Sequence, residues 1–157
     1  MNVISWVRFV RLRPDAREPT RATFGAAAYD LYAATDGAFI SESHTRTIIP
    51  VGFGIELPPN YVGLVCSRSG LAADRGWFVL NAPGVIDSDY RGEIKVILSY
   101  LPSNVAWPDV ADTKLIRAGD RVAQLLIMPV ANIGVEIAST FSGETDRGAG
   151  GFGSTGV

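Results

Sequence analysis

Glu93-Ile94-Lys95-Val96-Ile97-Leu98-Ser99-Tyr100 alternates between apolar and polar positions. Ile94, Val96, Leu98 and Tyr100 fall on one face, and Glu93, Lys95 and Ser99 on the other, with Ile97 among them. A period of two marks a β-strand, because successive side chains along a strand point to opposite sides. Phe53-Gly54-Ile55-Glu56-Leu57 repeats the pattern, and Val122 to Val130 is apolar on both faces, as expected of a strand covered on both sides. Turn residues punctuate these runs at short intervals, among them Pro50, Pro58-Pro59-Asn60, Gly76, Pro83-Gly84 and Gly119. Many short strands at such spacing predict an all-β sandwich or barrel. One short helix is expected, about Leu71 to Arg75, with Ser69 placed to cap its start. A small chain with a strand apolar on both faces must cover the second face, and an oligomer does so.

Composition narrows the class. The chain has 157 residues, 47% hydrophobic and 19% charged, which suits one globular domain. Seventeen glycines and nine prolines leave little room for long helices. A net charge of −2 argues against stable, non-specific nucleic-acid binding. A single cysteine, Cys66, excludes an internal disulfide, and with a single histidine, His44, it excludes a Cys/His zinc cage. His44 sits in a polar stretch with no nucleophile motif nearby. The N-terminal run is interrupted by Arg8, Arg11 and Arg13 and lacks the form of a signal peptide. The apolar run Val122 to Val130 is too short to span a bilayer. A soluble, cytoplasmic protein with no membrane association is the expectation.

Four segments carry candidate chemistry. Arg68-Ser69-Gly70-Leu71-Ala72 offers a guanidinium fork, a hydroxyl and a glycine, which suit a phosphate and equally suit an ordinary helix start with a solvated arginine. Asn81 to Glu93 contains Pro83-Gly84 and reads as a hairpin. Extended chain there would put Asp87, Asp89, Arg91 and Glu93 on one face, either simply solvated or with one carboxylate acting as a general base beside a phosphate ester. Tyr90 would then pack against a sugar. In Gly119-Asp120-Arg121-Val122-Ala123-Gln124 the amide of Gln124 lies inside an apolar run, so it needs a partner, either backbone or a ligand phosphate. The tail from Arg147 is glycine-rich and reads as a flexible terminus, yet its successive N–H groups can nest an anion, and Phe152 is an aromatic with no core of its own.

Taken together, these segments resemble the trimeric deoxyuridine triphosphatase (dUTPase) family. Five motifs match in order: Ala26 to Ala33, Arg68 to Ala72, Asn81 to Glu93, Gly119 to Gln124, and Arg147 to Gly156. The resemblance implies a jelly-roll-like β fold, a homotrimer with active sites at subunit interfaces, and Mg²⁺-assisted hydrolysis of dUTP to dUMP and pyrophosphate. Asp87 would activate the attacking water and contact the 3′-hydroxyl, while Tyr90 would pack under the sugar. Backbone around Asn81, Gly84 and Ile86 would read the uracil edge. Arg68, Ser69, Gly70 and Gln124 would hold phosphates, and Asp30 would position Mg²⁺ through water. Residues 147–157 would form a lid on a β domain of residues 1–146. In that lid Phe152 would stack on uracil, and Arg147, Gly153, Ser154 and Thr155 would engage phosphates.

Ala28 stands where the family usually has glycine, Ser67 where it has proline and Val51 where threonine is common. The Tyr100 to Arg117 segment, with Trp107 and Pro108, is longer than expected. It reads either as packing on its own subunit or as a surface for a protein partner. Two alternatives share the fold. One is a dCTP deaminase, whose catalytic glutamate motif is unmatched here. The other is a binding protein switched by dUTP, with a repressor-type partner.

Overall fold

The short β-rich runs fold as their punctuation predicts. The computed structural model describes residues 6–36, 39–40, 46–101 and 115–151, the pair 39–40 by backbone alone. In chain order the strands are β1 (Arg8–Arg11), β2 (Tyr29–Tyr32), β3 (Phe39–Ile40), β4 (Arg46–Pro50), β5 (Phe53–Glu56) and β6 (Tyr61–Cys66). After helix α1 (Ser69–Arg75) follow β7 (Trp77–Val79), β8 (Gly84–Ile86), β9 (Lys95–Tyr100), β10 (Leu115–Ile116) and β11 (Arg121–Pro129). All pairings are antiparallel. One sheet runs β2-β11-β6-β8 and a second β4-β9-β7, with the two-stranded pairs β1-β5 and β10-β3 beside them. This is the all-β, jelly-roll-like architecture with one short helix that the sequence suggests.

The core forms where the period of two puts apolar groups. Ile94, Val96, Leu98 and Tyr100 are all buried, and the Tyr100 ring lies 5.4 Å from that of the fully buried Trp77. Leu31, Ile49, Ile55, Ile116 and Leu125 complete the packing from the other strands. Burial of one such side chain contributes about 1.5–3 kcal/mol.

Two expectations are corrected. Ser69 does not cap α1: Arg68 occupies the cap position, with no side-chain cap hydrogen bond, and Ser69 is the first helical residue. The extended φ and ψ of Arg68 start the helix one residue earlier than a serine cap requires. The helix stops at Gly76, whose φ of 69° is left-handed and whose N–H returns to the carbonyls of Leu71 and Ala72. A side chain there would also strike the Leu101 carbonyl. Second, Asn81 to Glu93 is not a hairpin. β7 pairs with β9 and β8 with β6, so the Pro83-Gly84 corner carries the chain from one sheet to the other. Within a single chain β11 is covered on both faces only in its first half. Val122, Ala123 and Leu125 are fully buried, whereas Met128 and Val130 are close to half exposed.

Beyond Val130 the chain leaves the body. Every residue from 131 to 149 is exposed, including Ile133, Val135, Ile137 and Phe141. Tyr100 and Ile116 anchor the two ends of the long segment in the core, and residues 102–114, with Trp107 and Pro108, lie outside the described residues, as does His44.

Candidate active site

A first cavity, of about 200 Å³, is lined by Asn81, Gly84, Ile86, Asp87 and Tyr90, with Val65 and Ile97 at its apolar wall. The corner between the sheets builds it. Gly84 pairs with Val65 on β6, and Ile86 pairs with Gly63. Asp87 then leaves the strand, and its carbonyl accepts the Tyr90 N–H at 3.2 Å, closing a turn. That turn breaks the alternation expected from Asp87 to Glu93, so the four charged residues do not share a face. Glu93 turns inward to Arg13 Nε at 2.9 Å and to the Gly52 N–H at 3.0 Å. Arg91 donates to the Ser88 and Tyr90 carbonyls rather than to a carboxylate.

Asp87 is exposed, and among the described residues its carboxylate has no hydrogen-bond or ion-pair partner. An unpaired carboxylate at a cavity mouth is free to accept a proton or a hydroxyl. Tyr90, 44% exposed, donates its hydroxyl to the Glu93 carbonyl at 3.0 Å and packs against Gly92. Any side chain at position 92 would displace that ring, so the glycine lets Tyr90 take its place at the cavity.

A second cavity is lined by Arg68, Gly70, Leu71, Asp74, Arg75, Asp120 and Arg121. Two of its arginines are held by the carboxylate of Asp30 on β2. Oδ1 accepts Arg68 Nε at 2.9 Å, and Oδ2 accepts Arg121 NH1 at 3.3 Å. The Asp30 side chain is only 12% exposed, so one anion holds two cations side by side, and Arg68 NH1 also donates to the Arg121 carbonyl at 3.3 Å. Asp120 ties the surroundings together, accepting the Arg117 N–H at 2.9 Å and Arg75 NH1 at 3.4 Å. Gln124, opposite Asp30 in the β2–β11 register, donates Nε2 to the Ser67 carbonyl at 2.8 Å. Of its two sequence readings, backbone is therefore the partner. Ser69 lies exposed at the start of α1.

The two cavities are separate. Asp87 lies level with Val62 on β6, since Ile86 pairs with Gly63. From Val62 to Arg68 the extended chain covers roughly 20 Å at about 3.3 Å per residue. Adjacent phosphates of one triphosphate lie within a few ångströms of each other, so one chain cannot bring Asp87 and Arg68 to the same one. Arg147 is elsewhere again, its Nε donating to the Gly150 carbonyl at 2.9 Å in a turn of the exposed segment. Phe152, Gly153, Ser154 and Thr155 lie outside the described residues.

Sequence reasoning missed Arg121 as a member of the cationic pair and Arg75 and Asp120 as its frame. The turn Gly119-Asp120 leading into a strand was the available signal. It also missed the exposed segment after Val130, where Ile133, Val135 and Ile137 keep a period of two.

Comparison with known proteins fits this geometry. The family model described as dUTPase matches residues 15–156. The deoxyuridine 5′-triphosphate nucleotidohydrolase of Anaplasma marginale is 46% identical over 139 residues, 88% of each chain. That of Wolbachia pipientis from Culex pipiens is 48% identical over 139 residues, covering 88% of this chain and 86% of that one. Among solved structures, the dUTPase of Staphylococcus bacteriophage 80alpha with dUpNHpp superposes with a TM-score of 0.79 at 24% identity, covering 100% of both chains. A variant of the dUTPase of phage phi11 of S. aureus, described as coordinating a structural Mg(II) ion, gives 0.74 at 24% identity over 88% of this chain and 99% of that one. At that identity the structural likeness speaks for the fold.

Proposed function

The chain belongs to the dUTPase family, and from that premise we propose that it hydrolyses dUTP to dUMP and pyrophosphate by attack of water on the α-phosphorus. The observation that carries the reading is the Asp87 carboxylate, unpartnered among the described residues, beside Tyr90 at a cavity lined by Asn81, Gly84 and Ile86. The deaminase and switch-protein readings find no support, since the matched relatives are named as nucleotidohydrolases.

Each residue has a task in this reading. Asp87 accepts a proton from the water as its oxygen bonds to the α-phosphorus, and pyrophosphate leaves with the bonding electron pair. Asp87 also accepts the 3′-hydroxyl of deoxyribose, and Tyr90 packs under the sugar where a 2′-hydroxyl would sit. Backbone at Asn81, Gly84 and Ile86 reads uracil. Arg68, Ser69 and Gly70 hold phosphates, with Gln124 fixing the Ser67–Arg68 backbone. Arg147, Phe152, Gly153, Ser154 and Thr155 belong to a lid of residues 147–157 that closes over the β domain and excludes water.

The separation of Asp87 from Arg68 supports a homotrimer in which each active site draws its base-side residues from one subunit and its phosphate-side residues from another. The exposed apolar segment from Ile133 to Phe141 supports the same assembly, because it needs a neighbour to cover it. Among the described residues no group of three or more His, Cys, Asp or Glu could hold a metal. Asp30, already bound to two guanidinium groups, retains lone pairs that fit a hydrated Mg²⁺ brought in by the triphosphate, the usual manner of Mg²⁺ binding. When bound, the ion supplies charge neutralisation at the phosphates. A cytoplasmic setting belongs to the same reading, and no described helix is long and apolar enough to cross a membrane. The Tyr100 to Arg117 segment stands as the candidate surface for a protein partner.

The test is hydrolysis of dUTP, dTTP, dCTP and UTP side by side with products identified. Conversion of dUTP alone, to dUMP and pyrophosphate, is expected. Release of ammonia from dCTP, or of single phosphate from dUTP, would overturn the reading.

A further inference from the structure

We propose that Ser67 is a positioning residue for base recognition, its hydroxyl holding in place the corner that lines the base cavity. Ser67 lies between β6 and α1, and its carbonyl and hydroxyl are both engaged. Its carbonyl accepts Gln124 Nε2 at 2.8 Å, and its Oγ accepts the Val79 N–H at 2.9 Å. Val79 ends β7, an edge strand that among the described residues pairs only with β9. The neighbouring Leu80 N–H donates to the Ile97 carbonyl at 2.8 Å, toward β9, so the Val79 N–H points away from that strand. Val79 is 3% exposed. Its amide is thus shut off from bulk water, and the Ser67 hydroxyl satisfies it.

The bond acts at the hinge of the site. The Val79 carbonyl accepts the Ala82 N–H at 3.2 Å, closing the turn that delivers Asn81 and Gly84 to the cavity. Asn81 packs over Gly84, whose backbone pairs with Val65. One hydroxyl therefore joins the sheet containing β6 to the sheet containing β7 at the point where the chain crosses between them. The phosphate side has its own holds, Gln124 on the Ser67 carbonyl and Asp30 on Arg68, and neither needs the hydroxyl.

This inference rests on reading the cavity as the uracil site, and the experiment separates the two. Ser67→Ala and Ser67→Thr are compared with the parent by amide hydrogen exchange at Val79, by kcat and KM for dUTP and dCTP, and by inhibition with pyrophosphate. In Ser67→Ala, Val79 exchange quickens by roughly tenfold as its partner is lost. The KM for dUTP rises several-fold with kcat little changed, the preference for dUTP over dCTP shrinks, and pyrophosphate inhibits as before. Ser67→Thr restores all of these. Where Ser67→Ala does not fold, Ser67→Cys, a weaker acceptor of similar size, takes its place. Unchanged exchange at Val79 would remove the bond, and unchanged base preference with quickened exchange would reduce it to a structural tie. Either result overturns the proposal, as does weakened pyrophosphate inhibition in step with the rise in KM. A parent that turns over no dUTP fails the site reading instead, while Val79 exchange still reports on the bond.

Discussion

Replacing Asp30 with asparagine removes the one negative charge between two guanidinium groups. The side chains of Asp30 and Arg68 are 12% and 22% exposed, that of Arg121 50%. Removing one partner of a buried ion pair costs about 3–5 kcal/mol. An exposed pair contributes about 0–1 kcal/mol. Arg68–Asp30 lies toward the first limit and Arg121–Asp30 toward the second. The asparagine carbonyl still accepts one hydrogen bond, but its NH₂ must face the other guanidinium, donor against donor. A net loss of about 2–3 kcal/mol follows from these limits. For a domain of this size each kcal/mol moves the thermal midpoint by about 2–4 °C, so Asp30→Asn should lower Tm by about 5–10 °C. The assay is thermal unfolding at fixed protein concentration, in low and in high salt, since assembly makes Tm depend on concentration. Most of the loss should persist in high salt, because the inner pair is shielded from counter-ions. A midpoint unmoved by the substitution, or a difference that salt abolishes, would refute the reasoning and reclassify the pair as surface electrostatics.

Asp87→Asn keeps the shape of the proposed base and removes its proton affinity, so kcat for dUTP should fall by roughly 10²–10⁴-fold while nucleotide binding survives in calorimetry. Tyr90→Ala removes the floor under the sugar and should narrow the ratio of kcat/KM between dUTP and UTP; an unchanged ratio would place that discrimination elsewhere. Ending the chain after Asp146 removes no described strand, so oligomer size and Tm should hold while turnover collapses. Turnover at the parent rate would make the lid dispensable.

The core was legible because burial in a strand has a local signature. Ile94, Val96, Leu98 and Tyr100 are buried as their alternation requires, and all five segments quoted for the family proved to lie within the matched region. What failed was what depends on partners distant in sequence. Pro83-Gly84 announces a change of direction but not which sheet receives the next strand, so a corner between sheets read as a hairpin. The turn at Asp87 to Tyr90 ends the period of two, and Glu93 consequently swings to Arg13, eighty positions away. The grouping of Asp30 with Arg68 and Arg121 was hidden for the same reason: β2, β6 and β11 meet only in the finished sheet. The exposed run after Val130 carries a strand-like period, yet sequence alone does not say that the rest of the described chain leaves it uncovered.

The distance between Asp87 and Arg68 has a genetic consequence. In the proposed trimer a chain lends its base-side residues to one active site and its phosphate-side residues to another. A subunit damaged at Asp87 and a subunit damaged at Arg68 are each inert among their own kind. Mixed, they bring an intact half from each to about one interface in four, if assembly is random. Two loss-of-function alleles would then complement one another in the same cell, and an allele that disturbs only one side would be partly masked by its intact counterpart.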